Sequence, residues 1–564
     1  MSWYDEAIFY HIYPLGLLNA PRHNDHEGVV HRLRELDPWI RHIEELNCNA
    51  VYIGPLFESV GHGYETTDYR RLDERLGDNA DLADFVRKCH ERGIKVILDG
   101  VFNHTGREFF AFQDIKQNRE GSRYRDWYVN VNFYGNNEYN DGFSYDNWGG
   151  YNLLAKLNQR NPEVKDYICD VIRFWVKEFD IDGLRLDAAD VLDFDFMKAL
   201  RAVANEVKPE FWLMGEVIHG DYSRWVNEGT LHSVTNYVMH KALYSGHNDH
   251  NYFEIAHTQR RLEGFGASGK SGFKLYNFVD NHDVERIYTK LNNKAHFTPV
   301  HILLYTLPGI PSIYYGSEFA VEGRKERSSD DSLRPALRLS DYGDAIASNP
   351  ATRLISALGR IRKENPELSY GDYRELLLTN RQYAFSRGYN GRSVAVAVNN
   401  DDNDYSMSLE VSGAQEYYGA LGGERVPVRD GRIQVNIKAN SGEIWVPLSD
   451  GRKAEALVAP EEIRIVPGKA CDEKQGSGSE DGKRAEPEKA KESAASEPAD
   501  RPLGKPSGTA PEKAGSYEEG IIAGLQEAVM ALMEKNGQVT EQMRKDVRDN
   551  VYHDSLINWI KSFR

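Results

Sequence analysis

Short runs of β-branched and aromatic residues recur from residue 6 to about residue 365, and stretches with helical periodicity separate them. These stretches include predicted helices over Ala80–Arg92 and over Pro162–Phe179, where Pro162 suits a first helical turn. Eight alternating β and α units around one core predict a closed parallel barrel, the (β/α)8 or TIM-barrel fold, over residues 1–104 and 162–368. A doubly wound open sheet is the weaker alternative. The eight runs are Ile8–Pro14, Ala50–Leu56, Lys95–Asn103, Gly183–Ala188, Trp212–Val217, Ser233–Tyr237, Lys274–Asp280 and Pro311–Gly316.

The alternation stops after the third strand, in a segment that is rich in Tyr, Trp, Asn and Gly. This segment, residues 105–161, includes Trp127-Tyr128 and the run Tyr145–Trp148. A stretch this long without a regular period is usually a functional insertion in a compact fold. We therefore predict an inserted subdomain that lies over the top of the barrel.

Short alternating strands replace the helical period after about residue 370. Examples are Ser393–Val398 and Arg432–Ile437, and Asn, Asp and Gly turns separate such runs. The pattern predicts a C-terminal antiparallel β-sandwich over residues 369–467, packed against the barrel.

The composition changes twice more beyond the predicted sandwich. Residues 468–516 contain Leu503 as their only large aliphatic residue and no aromatic residue, so they cannot offset the entropy of folding and are predicted to be a disordered linker. Residues 517–564 regain a helical period, with a first apolar stripe over Ile521–Leu532 and a second one after it. Two helices this short are marginal alone. The helical tail is therefore predicted either to self-associate or dock on a protein partner, or to form a small autonomous bundle.

Charge and cysteine content indicate which classes of partner are excluded and which cell compartment is expected. Lys+Arg 69 against Asp+Glu 87 gives a net charge of -18, the wrong sign for binding nucleic acid or an anionic membrane surface. No stretch approaches the ~20 apolar residues of a membrane span, and the N-terminus lacks a basic region followed by an apolar run. The four cysteines lie far apart and are interpreted as reduced thiols, Cys48, Cys89, Cys169 and Cys471. These features predict a cytoplasmic protein.

Polar residues cluster at the carboxyl ends of four predicted strands, which surround the pocket mouth in a parallel barrel. A single carboxylate at a strand end is commonly a helix cap, and that is the simpler interpretation for any one position. Three carboxylates, two histidines and one arginine at one rim are much harder to explain as caps. The clusters are Asp99–His104, Arg185–Asp187, Gly215-Glu216 and Asp280–Asp283.

Three carboxylates at one mouth suit acid/base chemistry on a glycosidic bond, where one attacks, one donates a proton to the leaving group and one steadies the distorted sugar. Arg185 lies two residues before Asp187 and shares its strand face. Its guanidinium can therefore keep Asp187 ionised and oriented as a nucleophile. A purely structural ion pair is the alternative.

The motifs at these strand ends resemble, in order, the four signature regions of the α-amylase superfamily, glycoside hydrolase family 13. The resemblance covers roughly residues 1–450. It implies that Asp187 is the nucleophile, Glu216 the general acid/base, and Asp283 the third carboxylate, which binds the sugar and stabilises the transition state. The four matching segments are Asp99–His104, Gly183–Asp187, Gly215–Val217 and Phe278–Asp283.

The same resemblance assigns residues that hold the sugar. His104, Arg185 and His282 are implied to bind it in the cleavage subsite. The segment Gly63–Tyr69 also resembles a family segment, which makes Tyr64 the implied stacking ring under that sugar. Ordinary loop packing is the alternative for Tyr64.

One further segment narrows the resemblance within the family. Leu154–Asn158 is similar to the motif of the neopullulanase, cyclomaltodextrinase and maltogenic amylase group, with Ala155 in place of its proline. The resemblance implies that the chemistry requires no cofactor. The Lys-His pair that follows the nucleophile in many starch-degrading α-amylases, where the histidine serves the usual calcium site, is replaced here by Asp190-Val191. Asn103 is therefore interpreted as structural, and a Ca²⁺ site is not predicted.

The resemblance implies a retaining α-glucoside hydrolase that cleaves α-1,4 bonds, with α-1,6 bonds as a further option, in maltodextrins or cyclodextrins. One alternative is a transglycosylase or isomerase of the same family that acts on maltooligosaccharides, sucrose or trehalose through the same covalent intermediate. Another is a catalytically inactive relative that serves as a binding subunit. The presence of all three carboxylates argues against the inactive relative.

Overall fold

A computed structural model describes most of the chain before residue 470. The predicted helical tail, and all of the predicted linker except its first two residues, lie outside the described residues. The described ranges are 2–268, 272–326, 329–448, 455–458 and 465–469.

Strands and helices alternate through the first two thirds of the chain, and strands alone follow. The strands are β1 (Phe9–Ile12), β2 (Ala50–Ile53), β3 (Phe57–Ser59), β4 (Thr66–Leu72), β5 (Lys95–Gly100), β6 (His104–Thr105), β7 (Asn147–Trp148), β8 (Tyr151–Lys156), β9 (Gly183–Leu186), β10 (Trp212–Gly215), β11 (Ser233–Val234), β12 (Tyr276–Phe278), β13 (Ile310–Tyr314), β14 (Asp372–Leu378), β15 (Gln382–Tyr389), β16 (Arg392–Asn399), β17 (Tyr405–Glu410), β18 (Glu416–Gly419), β19 (Arg425–Pro427), β20 (Arg432–Ile437) and β21 (Ser441–Pro447). The helices are α1 (Pro14–Leu17), α2 (Asp37–Glu45), α3 (Asn79–Glu91), α4 (Phe110–Asn118), α5 (Pro162–Phe179), α6 (Phe194–Val207), α7 (Tyr237–Asn248), α8 (Tyr252–Gly264), α9 (Ile287–Lys290), α10 (Phe297–Thr306), α11 (Ala345–Ser348), α12 (Pro350–Glu364) and α13 (Glu367–Tyr370).

Eight parallel strands form one sheet in the order β11-β10-β9-β5-β2-β1-β13-β12. The two end strands meet through a parallel bridge between Thr235 and Tyr276, and the Asn236 amide donates to the Tyr276 carbonyl at 2.9 Å. This pairing closes the sheet, so the predicted (β/α)8 barrel is confirmed and the open-sheet alternative is wrong. Every predicted run overlaps one barrel strand.

Side-chain caps set the helix boundaries that the sequence pattern predicts. Asn161 accepts from the Glu163 amide, Pro162 occupies the first position of α5, and the helix ends at Asp180 with φ 57. The predicted bounds of this helix are confirmed. Asp78 caps α3 by accepting from the Asp81 amide, which places its start one residue before the predicted one.

The inserted segment is anchored at the barrel rim by a small sheet of order β6-β8-β7. His104 in β6 pairs with Lys156 in β8, so this sheet begins at the end of a barrel strand. The turn between β7 and β8 consists of Gly149 and Gly150, with φ 63 and φ 88, a left-handed backbone that glycine adopts without strain.

Two antiparallel sheets follow the barrel, six strands in the order β14-β15-β16-β21-β18-β19 and the pair β17-β20. A separate apolar core lies between them and includes Ala395, Leu409, Val435 and Trp445. This arrangement confirms the predicted antiparallel C-terminal domain. Among the helices of the described residues, none combines the length and the apolar character needed to cross a membrane.

Candidate active site

Adjacent barrel strands bring the signature residues to one rim. Asp99 in β5 lies opposite Arg185 in β9. The ladder continues past the strand ends, where the Asp187 amide donates to the Gly100 carbonyl at 3.1 Å and the Glu216 amide donates to the Leu186 carbonyl at 2.9 Å. The backbone therefore fixes Asp187 and Glu216 side by side at the pocket mouth.

The Arg185 guanidinium joins the carboxylates of this rim. Nη1 donates to Asp99 Oδ1 at 2.9 Å and to Asp187 Oδ1 at 2.7 Å, and Nη2 lies 2.9 Å from Glu216 Oε2. The Arg185 side chain is only 4% exposed. A buried guanidinium of this kind orients three carboxylates at once and compensates part of their charge.

Burial dominates the ionisation of the three carboxylates around Arg185. It raises the pKa of Asp187, Glu216 and Asp99, and Arg185 opposes the increase at each of them. The Glu216 carboxylate raises the pKa of Asp187 further, and Asp283 and Asp99 raise the pKa of Glu216. Sequence reasoning expected Arg185 to keep Asp187 ionised; Arg185 does lower the pKa of Asp187, but burial outweighs it. Burial therefore favours the protonated form at each of these three carboxyl groups.

Glu216 has two further contacts that fix its carboxyl group. Its Oε2 accepts from the Ala188 amide at 3.0 Å, and the Tyr237 hydroxyl lies 3.4 Å from its Oε1. Ala188 has φ 46, a left-handed conformation that directs its amide at Glu216. The Glu216 side chain is 15% exposed, so it can still reach a ligand in the mouth.

Asp283 follows β12, and its side chain is 34% exposed. It is more exposed than Asp187 and Glu216, the other two predicted catalytic carboxylates. Its Oδ2 lies 3.0 Å from His282 Nε2, and its Oδ1 accepts from Arg334 Nη2 at 2.9 Å. Burial lowers the pKa of His282 well below its usual range, and Arg334 and Arg185 lower it further, so His282 is neutral. The neutral imidazole and the Arg334 guanidinium thus contact the two oxygens of the Asp283 carboxyl group and fix its orientation.

Tyr64 closes the other side of the mouth. Its hydroxyl contacts His282 Nε2 and lies 3.4 Å from Asp99 Oδ2, and its ring is nearly parallel to that of His282, at 11°. His104 does not reach the carboxylates: its Nε2 bonds the Tyr64 carbonyl oxygen at 3.1 Å. Burial lowers the pKa of His104 to about 4, so it is neutral at ordinary pH and acts through Tyr64.

The structure thus brings six of the seven residues that the sequence singled out into one connected set, with His104 one contact behind Tyr64. It adds three residues to which the sequence analysis gave no role. Asp99 lies in one of the signature segments, and Tyr237 is the last residue of a predicted strand run. Their positions at strand ends could therefore have identified both as site residues. Arg334 follows a long stretch of loop and short 3-10 helix, and no motif marked it.

Asn103 makes contacts that fit its structural interpretation. Its side-chain oxygen accepts from Gln159 Nε2 at 3.3 Å, and its amide nitrogen contacts His104 Nδ1 at 3.3 Å. Within the described ranges, two groups of one histidine and two carboxylates are close enough together to approach a cation. Arg71 and Arg34 already pair with carboxylates of these groups at 2.8 and 2.6 Å. The groups are His26, Glu58, Glu74 and His31, Asp78, Asp81.

Comparison with known proteins matches both domains. The alpha amylase catalytic domain matches residues 24–341, and the alpha-amylase C-terminal domain matches residues 371–445. A cyclomaltodextrinase of Thermoanaerobacter pseudethanolicus is 32% identical over 446 residues, 74% of this chain and 74% of that protein. Neopullulanase 2 of Thermoactinomyces vulgaris is 30% identical over 475 residues, 78% of each chain.

Solved structures similar to this chain include enzymes of the same kind. A cyclomaltodextrinase structure superposes with a TM-score of 0.69 at 26% identity and covers 78% of each chain. A debranching enzyme of Nostoc punctiforme superposes with a TM-score of 0.68 at 26% identity, covering 79% of this chain and 98% of that one.

Proposed function

The chain belongs to the α-amylase family and is a glycoside hydrolase, and from that premise we propose how its own residues carry out the reaction. It cleaves α-1,4 bonds, and α-1,6 bonds as well, in maltodextrins or cyclodextrins with retention of configuration. The observation that supports this most directly is the Arg185 guanidinium, which holds Asp187 and Glu216 together at a mouth that also contains Asp283.

Asp187 attacks the anomeric carbon in the first step while Glu216 gives its proton to the departing glycosidic oxygen. This forms one bond from carboxylate oxygen to carbon and breaks the bond to the leaving sugar. Burial favours the protonated form of Glu216 that this step requires. Arg185 stabilises the negative charge on Asp187 until the attack occurs.

Water replaces the leaving sugar in the second step. Glu216, now ionised, takes a proton from that water, which attacks the same carbon and releases Asp187. Because the two attacks are on opposite faces, the product keeps the configuration of the substrate. If a second sugar takes the place of water, the same intermediate gives transglycosylation.

Asp283 and Tyr64 act on the sugar rather than on the proton. Asp283 is the most open carboxylate and can accept from sugar hydroxyls, and its negative charge lies where the oxocarbenium-like transition state develops positive charge. Tyr64 offers a half-buried ring beside it. His282 and His104 hold these two groups in place.

The preference for maltodextrins and cyclodextrins is supported by the names of the relatives, a cyclomaltodextrinase and a neopullulanase. We also propose a cytoplasmic location, which fits three buried cysteines that are free thiols among the described residues, Cys48, Cys89 and Cys169.

A substrate panel tests the proposal. The purified full chain is incubated with maltoheptaose, β-cyclodextrin, pullulan, sucrose and trehalose, and products are quantified by chromatography. We expect turnover of maltoheptaose and β-cyclodextrin, with slower release from pullulan. Turnover of sucrose or trehalose alone would favour the transferase or isomerase alternative, and no turnover of any substrate would contradict the assignment.

A further inference from the structure

Exposed aromatic rings are concentrated in the inserted subdomain. Of the six large aromatic residues that are exposed within the described part of the chain, four lie between residues 105 and 161. Tyr134 is 102% exposed, Tyr151 is 68% exposed and Tyr139 is 43% exposed. Isolated exposed rings are ordinary on protein surfaces, but a cluster of them on one small segment marks a surface that binds something.

Hydrogen bonds hold the loop surface that carries Tyr134 and Tyr139. The backbone amides of Tyr134 and Tyr139 donate to the Asn132 and Asn137 side chains at 3.0 and 2.9 Å, which holds the turns that present the rings. The Arg107 guanidinium lies 3.6 Å from the centre of the Tyr139 ring and supports it. Little conformational freedom is therefore lost when a ligand settles on this surface.

A second contact joins the loop to strand β8. The Glu138 carboxylate, next to Tyr139, accepts from the Asn152 side chain, next to Tyr151. Asn152 is also held by Asn147, whose amide donates to it at 2.7 Å. Tyr139 and Tyr151 thus flank one hydrogen-bonded connection, and we refer to Tyr134, Tyr139 and Tyr151 together as the tyrosine surface.

Strand β8 runs from the tyrosine surface to the active site. Tyr151 begins the strand, and Lys156 at its other end pairs with His104, which bonds the Tyr64 carbonyl. Five residues of extended chain span roughly 17 Å. Only a ligand of several sugar units can contact both places.

The chemistry of the surface suits a neutral hydroxylated polymer. Tyrosine offers a flat apolar face and a hydroxyl group, which match the C–H face and the hydroxyls of a pyranose ring. The loop carboxylates are already engaged, Asp141 with Arg107 at 2.6 Å and Glu138 with Asn152. Rings and amides therefore remain to meet a ligand.

We propose that the tyrosine surface is a second binding site for α-glucan chains, which retains long substrates near the catalytic mouth. The proposal rests on the proposed function, since it takes the same class of substrate. It assigns the inserted subdomain a role in selecting chain length.

Binding in the absence of turnover tests this directly. The full chain carrying Asp187→Asn is run in native gels containing glycogen, alone and combined with Tyr134→Ala plus Tyr151→Ala. We expect the two tyrosine substitutions to raise the Kd for glycogen about tenfold, a loss suited to two aromatic contacts. Tyr405→Ala, in the C-terminal sheets and 36% exposed, is the matched control and is expected to shift the Kd by less than twofold.

A kinetic ratio gives an independent readout in the active chain. The ratio of kcat/KM for glycogen to kcat/KM for maltotriose is expected to fall about tenfold in the double tyrosine variant and to stay unchanged in Tyr405→Ala. Equal retardation of parent and double variant, or an unchanged ratio, would overturn the proposal.

The two readouts separate this proposal from the proposed function. If the wild-type chain turns over no α-glucan but glycogen still retards it through Tyr134 and Tyr151, the proposed function fails and the tyrosine surface stands. If α-glucans are turned over and the two tyrosines make no difference to glycogen binding, the surface fails and the proposed function stands.

Discussion

At the scale of single residues, one buried guanidinium lies among the carboxylates of the active site and positions them. Arg185 contacts Asp99, Asp187 and Glu216, so each of these groups feels the protonation of the others. Burial raises the pKa of all three and so favours the protonated form of Glu216 that the first step needs.

Replacing the nucleophile separates catalysis from stability. In Asp187→Asn, we expect kcat on maltoheptaose to fall by at least roughly 10³-fold, because no carboxylate remains to form the covalent intermediate. The thermal midpoint is expected not to fall, since one of several crowded carboxylates is removed from a buried site. Steady-state kinetics and differential scanning fluorimetry measure the two quantities.

Glu216→Gln is the companion variant. Fluoride is a leaving group that departs without a proton. We therefore expect Glu216→Gln to consume α-maltosyl fluoride far faster than it consumes maltoheptaose. Equal losses on both substrates would show that Glu216 is not the acid, and near-normal kcat in a clean preparation of Asp187→Asn would exclude Asp187 as the nucleophile.

The pH profile follows from the same raised pKa values. Activity needs Asp187 ionised and Glu216 protonated, so it falls at low pH as Asp187 gains a proton and at high pH as Glu216 loses one. Because burial raises both pKa values, both limbs lie above the ordinary range for a carboxyl, which is about 4. Asp283 raises the pKa of Glu216, so Asp283→Asn should move the high-pH limb of kcat/KM to lower pH.

The profile is measured with maltoheptaose at high enzyme concentration, because a sugar leaving group needs the proton from Glu216 and the high-pH limb then reports that group. Asp195→Asn, whose side chain is 84% exposed, serves as the control and should leave both limbs in place. A high-pH limb that stays fixed, or moves upward, in Asp283→Asn would mean that the two carboxylates are not coupled as described.

At the scale of elements, helix caps and strand ends set the site. Asn161 is the N-cap of α5 and Pro162 begins it, so the chain leaves the inserted subdomain and enters the barrel at a fixed point. Trp175 of this helix stacks on Phe57 at 4.2 Å between ring centres, which holds α5 against β3.

Removing this cap tests whether it acts on stability alone. Asn161→Ala is expected to lower the free energy of unfolding by about 1 kcal/mol, because the Glu163 amide loses its acceptor. The activity on maltoheptaose should stay within twofold. Asn118→Ala is the control, since its side chain caps no helix in the structure. Urea denaturation reads the difference, and equal stability of the two variants would contradict a capping role.

The elements that the sequence predicted, and those that it did not, differ in the range of their contacts. Hydrophobic periodicity and helix caps depend on residues that are close in sequence, so the sequence alone predicted the eight barrel strands and α5. Strand β4 was not predicted, because the buried positions of Thr66–Leu72 recur every third residue and do not alternate as in an ordinary half-buried strand. Arg334 reaches Asp283 from 51 residues away, and only the closed barrel brings the two together.

At the scale of the whole molecule, the catalytic barrel and its neighbouring sheets account for the residues before 470, and the chain continues for nearly a hundred more. The net charge of -18 opposes the binding of polyanions, and we propose that the chain acts on a neutral substrate.

The predicted helical tail carries a prediction about assembly. Its two apolar stripes are too short to be stable alone, so we propose that they associate with a second copy. Deleting residues 468–564 should lower the mass measured by light scattering by more than the mass of the removed segment. A mass that falls only by the removed segment would exclude self-association and leave docking on a protein partner or an autonomous bundle.

Stereochemistry tests the central claim of a double displacement most directly. Maltoheptaose is mixed with the wild-type chain, and the anomeric protons of the products are followed by NMR from the first minutes, before mutarotation. The account predicts that α-anomers appear first and β-anomers grow in only later. Initial release of β-anomers would contradict it, because a single displacement by water would then be the reaction and Asp187 would not be a nucleophile.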